Sequence, residues 1–128
     1  MITLMLCSSC SSQDSMRMKI NDIDVAVQWE NNASVNALKA SLPLSVNMHM
    51  YGGFELVGSL GHNITRNDKR MTTSAGDIVL YSGNQIVIFY GSNTWEYTRL
   101  GRITGMNESE LRDLLGKSEV MLRLSGGH

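Results

Sequence analysis

Two strongly β-forming runs, Gly76-Asp77-Ile78-Val79-Leu80-Tyr81 and Gln85-Ile86-Val87-Ile88-Phe89-Tyr90-Gly91, flank Ser82-Gly83-Asn84 in the second half of the chain. β-Branched and aromatic side chains fit a pleated surface, and a short glycine-containing turn between two such runs closes a hairpin. A hairpin has two unpaired edges, so the rest of the chain must supply strands to cover them.

The flanking sequence supplies them. Met16 to Trp29 alternates, with Met18, Ile20, Ile23, Val25 and Val27 apolar around a polar Asn21-Asp22 pair, and is predicted as an opening hairpin. Leu44 to Tyr51 alternates again, Gly52-Gly53 breaks the chain, and Phe54 to Leu60 resumes as a strand. Tyr97 to Ile103 and Val120 to Leu124 are two more. Helical spacing is confined to two short stretches. Val35, Leu38 and Leu42 recur at helical intervals after Ser34 until Pro43, and Asn107-x-x-Glu110 is a capping box opening a helix through Leu111, Leu114 and Leu115 to Gly116. Gly61 to Thr73 reads as polar and irregular, and Ser92-Asn93-Thr94-Trp95-Glu96 as a polar loop with one large aromatic.

About eight short strands with two short helices predict a mostly β chain whose sheet rolls into a small closed barrel, because closure hides the edges of an open sheet. Strands joined by turns rather than helices argue against a doubly wound α/β fold. A chain of 128 residues, 42% hydrophobic, supplies one core and not two. Charge is nearly balanced, with 11 Lys plus Arg against 12 Asp plus Glu. That balance argues against a nucleic-acid partner, which requires clustered basic charge. Arg66, Lys69 and Arg70, with Asp68 between them, read as a solvated loop. No apolar run approaches the ~18 residues of a membrane-spanning helix.

Residues 1–15 have another character. Met1 to Leu6 is apolar, and Cys7-Ser8-Ser9-Cys10-Ser11-Ser12-Gln13-Asp14 is small and serine-rich, as at the end of a truncated lipoprotein-type signal and its tether. Cys10, behind two serines, suits lipidation best, and Cys7 is the second choice. On this reading residues 16–128 form the domain. The chain is then expected in a bacterial cell envelope, lipid-anchored or periplasmic, meeting the membrane only through a lipid anchor. The competing reading is a tail with two incidental cysteines. The body beyond Cys10 has no cysteine, which excludes thiolate metal ligation there, and His49 and His62 lack carboxylates in a ligand pattern. No metal or cofactor is expected. Serine elbows, phosphate loops and dinucleotide fingerprints are missing as well.

Four blocks carry a family likeness. Met50-Tyr51-Gly52-Gly53-Phe54-Glu55-Leu56-Val57-Gly58-Ser59-Leu60, then Gly76 to Tyr81, Ile86 to Gly91 and Tyr97 to Ile103 resemble, in order and spacing, the bacterial cyclophilin-like domain family. The resemblance covers about residues 18 to 125 and implies an eight-stranded cyclophilin-type barrel with a cleft on one side. It does not carry prolyl isomerase activity with it. The isomerases use an arginine followed by a Phe-x-x-Gln element, and the comparable stretch here, Met48 to Glu55, holds neither.

Candidate cleft residues follow from chemistry and position. Glu55 stands in a strand after two glycines, where backbone can approach a ligand closely, so its carboxylate can serve as base or acceptor. Alternatively it faces water or pairs with an arginine. Arg99 is the natural partner, or else an anchor for a ligand carboxylate. Tyr51, Phe54, Phe89, Tyr90, Trp95 and Tyr97 gather in the blocks of the resemblance. Three or more should be core, with Trp95 and Tyr97, beside polar residues, as cleft wall. The expected ligand-binding set is Tyr51, Glu55, Phe89, Trp95, Tyr97 and Arg99, with no catalytic residue assigned. The expected function is a non-catalytic module binding a peptide or small molecule. A weak or divergent peptidyl-prolyl isomerase is the alternative.

Overall fold

The computed structural model describes residues 16–126, so the expected leader and the lipidation of Cys10 or Cys7 lie outside the described residues. Ten strands follow in chain order: β1 (Met16–Ile20), β2 (Ile23–Val25), β3 (Val27–Trp29), β4 (Leu44–Tyr51), β5 (Glu55–Ser59), β6 (Lys69–Thr72), β7 (Asp77–Tyr81), β8 (Gln85–Phe89), β9 (Thr94–Ile103) and β10 (Glu119–Gly126). Helix α1 (Ala33–Lys39) lies between β3 and β4, and α2 (Glu108–Leu115) between β9 and β10.

The strands pair in the order β2-β1-β10-β4-β5-β8-β7-β9-β3, with β6 added to β9. The two ends of that path, β2 and β3, are separated in the chain by Ala26 alone. β2 pairs with β1, and after Ala26 the same stretch pairs with β9, so the backbone itself bridges the edges and rolls the sheet into a nearly closed barrel. Across this seam Trp29 Nε1 donates to the Met16 carbonyl at 2.8 Å and Thr104 N to the Ala26 carbonyl at 2.9 Å. The predicted opening hairpin is therefore correct for β1 and β2, whose Asn21-Asp22 turn has both φ angles positive as a two-residue hairpin requires. Val27 to Trp29 belongs to the other edge.

Among the described residues the strand count exceeds the expected eight: it is ten, or nine if β2 and β3 are taken as one bent strand. β6 lies inside the stretch read as irregular, and Thr94, Trp95 and Glu96, read as loop, are its partners in β9. Both helices form where the sequence places them. Asn32 caps α1 by accepting from Val35 N at 2.8 Å, and Asn107 and Glu110 exchange both bonds of the capping box at 2.9 Å.

Strand alternation builds the barrel interior. Ile78 and Leu80 of β7, Ile86 and Ile88 of β8, Leu56 of β5 and Val46 and Met48 of β4 point inward, fully or almost fully buried, with the leucines of α2. Gly58 is glycine for lack of room: a Cβ there would lie 2.5 Å from Val46 Cγ1 and 2.8 Å from the Asn47 carbonyl. A second, smaller core occupies the opposite face. Val79, Val87 and Phe89 point outward from β7 and β8 and are covered by Tyr97 of β9, Met71 of β6, Phe54 and Val57. The central strands are thus apolar on both faces, which explains the unbroken Ile-Val-Ile-Phe run in β8.

Candidate functional site

Beside this outer core the sheet carries a cavity of about 360 Å³, and each wall follows from strand register. Tyr51 and Glu55 are direct partners across the β4–β5 hairpin. Gly52 and Gly53 turn that hairpin with φ of 67° and 77°, in the left-handed region, and a Cβ at Gly52 would strike the Phe54 ring. Val57 follows on the same face as Glu55. From the other side, Tyr81 and Gln85 pair across the β7–β8 turn. The N-terminal half of β9, drawn away by β6, contributes Trp95 and Tyr97, with Asn93 just before it.

Asn93 is fixed from two directions. Its backbone exchanges bonds with Thr73, N to Thr73 Oγ1 at 3.0 Å and O from Thr73 N at 2.8 Å. Its side-chain amide donates to the Tyr97 hydroxyl at 2.9 Å, which leaves the phenolic proton free for a ligand. Burial raises the Tyr97 hydroxyl pKa, against the lowering effect of the Asn93 bond and with a further rise from Glu55. The Tyr97 ring packs edge-on against Phe89 at 5.6 Å and 69° and against Tyr81 at 6.1 Å and 64°.

Among the described residues Glu55 is the only carboxylate in the lining, and it is 7% exposed. Among the described residues its carboxyl group makes neither a hydrogen bond nor an ion pair. Desolvation lifts its pKa from 4.5 to about 7. Among the described residues no lysine, arginine or histidine lines the cavity.

Four of the six expected residues, Tyr51, Glu55, Trp95 and Tyr97, are brought together here. Phe89 is not at the surface: it is fully buried beneath Tyr97, because β8 lies between β5 and β7 and is covered on its outer face too. Arg99 does not line the cavity and is not the partner of Glu55. A bulge at Leu100 in β9 sets Arg99 and Arg102 on the same face, flanking the buried Asp77. Their Nη1 atoms lie 3.2 and 3.5 Å from Asp77 Oδ1, while Oδ2 accepts from Ser74 N at 2.8 Å. The sequence reading missed Tyr81, Gln85, Asn93 and Val57. The period of two on β7 places Tyr81 on the face of Val79, and the Ser82-Gly83-Asn84 turn sets Gln85 opposite it, so these two were open to inference.

No match was found among the curated proteins. The solution structure of the hypothetical protein AF2241 from Archaeoglobus fulgidus is similar, with a TM-score of 0.64 at 16% identity over 87% of this chain and 92% of that one. At that identity the likeness shows the fold. The family model for the cyclophilin-like family matches residues 18–124, from within β1 to within β10, so the ten-stranded barrel with its outer cavity belongs to the cyclophilin-like family.

Proposed function

We propose that this cyclophilin-like domain is a binding module, whose outer cavity takes a small molecule or a peptide side chain and releases it unchanged. The observation that carries the reading is the lining itself: four aromatic rings around one carboxyl group, with no nucleophile and base in contact. An isomerase needs a donor for the prolyl nitrogen. One N–H of the Asn93 amide is given to Tyr97, which fixes that amide against the ring, and the Arg99 guanidinium faces Asp77. Gln85 is the remaining amide in the lining. The lipid anchor at Cys10 is part of the same proposal and rests on the leader-like sequence of residues 1–15.

A nuclear magnetic resonance screen of small aromatic and amine fragments tests the module, with shifts expected at Tyr51, Trp95 and Tyr97. A protease-coupled assay on an Ala-Pro peptide tests the alternative, and no rate near that of a true cyclophilin is expected. A robust rate that disappears with Gln85→Ala overturns the binding-module reading.

A further inference from the structure

Within that reading, on which this inference rests, we propose that the cavity's occupant is a cation of one kind: an organic ammonium group, held between the tyrosine and tryptophan rings with its charge against Glu55. Three observations point there. The first is the carboxyl of Glu55, which sits 7% exposed and, among the described residues, has neither a partner nor a cationic side chain in the lining to offset it. A buried carboxylate without a partner is costly, and an incoming positive charge removes that cost, whereas an anion is repelled and a neutral ligand leaves it standing.

The second is the arrangement of the rings. Tyr81 and Tyr97 meet at 64° with centroids 6.1 Å apart, forming two sides of a corner. Tyr51 and Trp95 stand at the mouth, 67% and 51% exposed. Aromatic faces are negative and attract an ammonium group within about 6 Å of the ring centroid, most strongly for tryptophan. The third is the donor set. A divalent metal ion requires several oxygen ligands, typically six or more for calcium, and Glu55 is the one carboxylate here. A diffuse, weakly hydrated ammonium head has no such requirement. The volume of about 360 Å³ suits a head group with a short chain. A free quaternary ammonium compound and the side chain of a trimethyllysine-containing peptide present the same chemistry.

Binding then depends on pH through Glu55, whose pKa lies at about 7 in the empty site because of burial. The other titratable groups around it are Tyr51 and His49 on β4, Tyr81 on β7, Tyr90 after β8 and Tyr97 on β9. His49 faces outward and pairs with Glu119 of β10 at 3.5 Å. Arg112 of α2 works against the rise that burial imposes on the Tyr90 hydroxyl pKa.

The test is a resonance titration of the full chain with choline and with its neutral isostere 3,3-dimethylbutan-1-ol. A third arm uses acetyl-trimethyllysine methylamide, which binds more tightly than choline if the source is a peptide. At pH 8 choline should bind at least about tenfold tighter than the isostere, shifting Trp95 and Tyr97. Going to pH 6, where Glu55 is mostly protonated, should weaken choline about tenfold and leave the isostere unchanged. Glu55→Gln should reduce the preference to the few-fold that the rings alone supply, and His49→Gln should keep the pH dependence of the wild-type preference. Equal binding of the two isosteres, or a preference unaffected by pH and by Glu55→Gln, overturns the ammonium assignment while the binding module stands. Silence of every cavity resonance toward both isosteres and the fragment set overturns both. Should Glu55→Gln fail to fold, the pH dependence of the wild-type preference decides alone.

Discussion

Glu55 carries a desolvation cost that its neighbours do not offset, and the sign of its effect on stability follows from its two pKa values. In the unfolded chain the group titrates near 4.5, and in the fold at about 7. Below 4.5 both states are protonated and the group is silent. Between the two values the unfolded chain ionises first, so stability falls as pH rises, and above 7 the loss is constant. At about 1.4 kcal/mol per unit the ceiling is roughly 3 kcal/mol, and solvent reaching the cavity reduces it to about 2. Glu55→Gln should therefore stabilise the domain by about 2 kcal/mol at pH 8 and by nothing at pH 4, measured by urea unfolding. An equal gain at both pH values would remove ionisation as the cause. Arg99→Ala belongs to the same scale. It leaves the buried Asp77 with Arg102 as its one cation beside the Ser74 amide, so it should cost about 1–3 kcal/mol in the same urea unfolding without altering the choline titration. Glu55 was legible in the sequence as a carboxylate behind two glycines, but its lack of a partner was not. Arg99 looked like that partner because strand spacing does not reveal a bulge, and the bulge at Leu100 turns it to Asp77 instead.

Elements whose signals are local were legible, and those defined by a distant partner were not. The capping box at Asn107 and the hairpin around Gly83 each state their structure within a few residues. β6 does not: of Lys69-Arg70-Met71-Thr72 only Met71 is even partly buried, and the strand exists because Thr94 to Tyr97 lies beside it. Lys69 to Thr72 and Thr94 to Glu96 are too polar to show an apolar period of their own, so both read as loop and only Tyr97 onward reads as strand, although the pairing of the two segments holds the Trp95 and Tyr97 walls of the site. The interior strands allow sharper prediction. Gly58→Ala places a methyl group 2.6 Å from Met48 Sδ and 2.8 Å from the Asn47 carbonyl, and backbone in the middle of β4 has nowhere to move. The substitution should cost about 1–3 kcal/mol by thermal or urea unfolding. Asn107→Ala removes a cap at an exposed helix end and should cost about 1 kcal/mol, lost from helical ellipticity as well as from the midpoint.

For the molecule as a whole, closure depends on a change of partner at one residue. The alternation from Met16 to Trp29 is the same whether its second arm pairs with β1 or with β9, which is why periodicity predicts a barrel without showing where it shuts. Ala26 is the crossing point, and the bond from Trp29 Nε1 to the Met16 carbonyl ties the first residue of β1 to the far edge of the sheet. The periodic apolar segments of the sequence all begin at Met16 or later, whereas residues 1–15 carry an apolar run and a serine-rich stretch with no such period. Removing residues 1–15 should accordingly leave the melting temperature within a few degrees, less than the roughly 4–8 °C that a single kcal/mol moves a domain near this size. Trp29→Phe in the same shortened chain, which keeps the ring and deletes the seam bond, should lower it by about that amount. A fall of more than about 10 °C on deletion alone would show that the leader packs on the barrel and that Met16 is not where the fold begins.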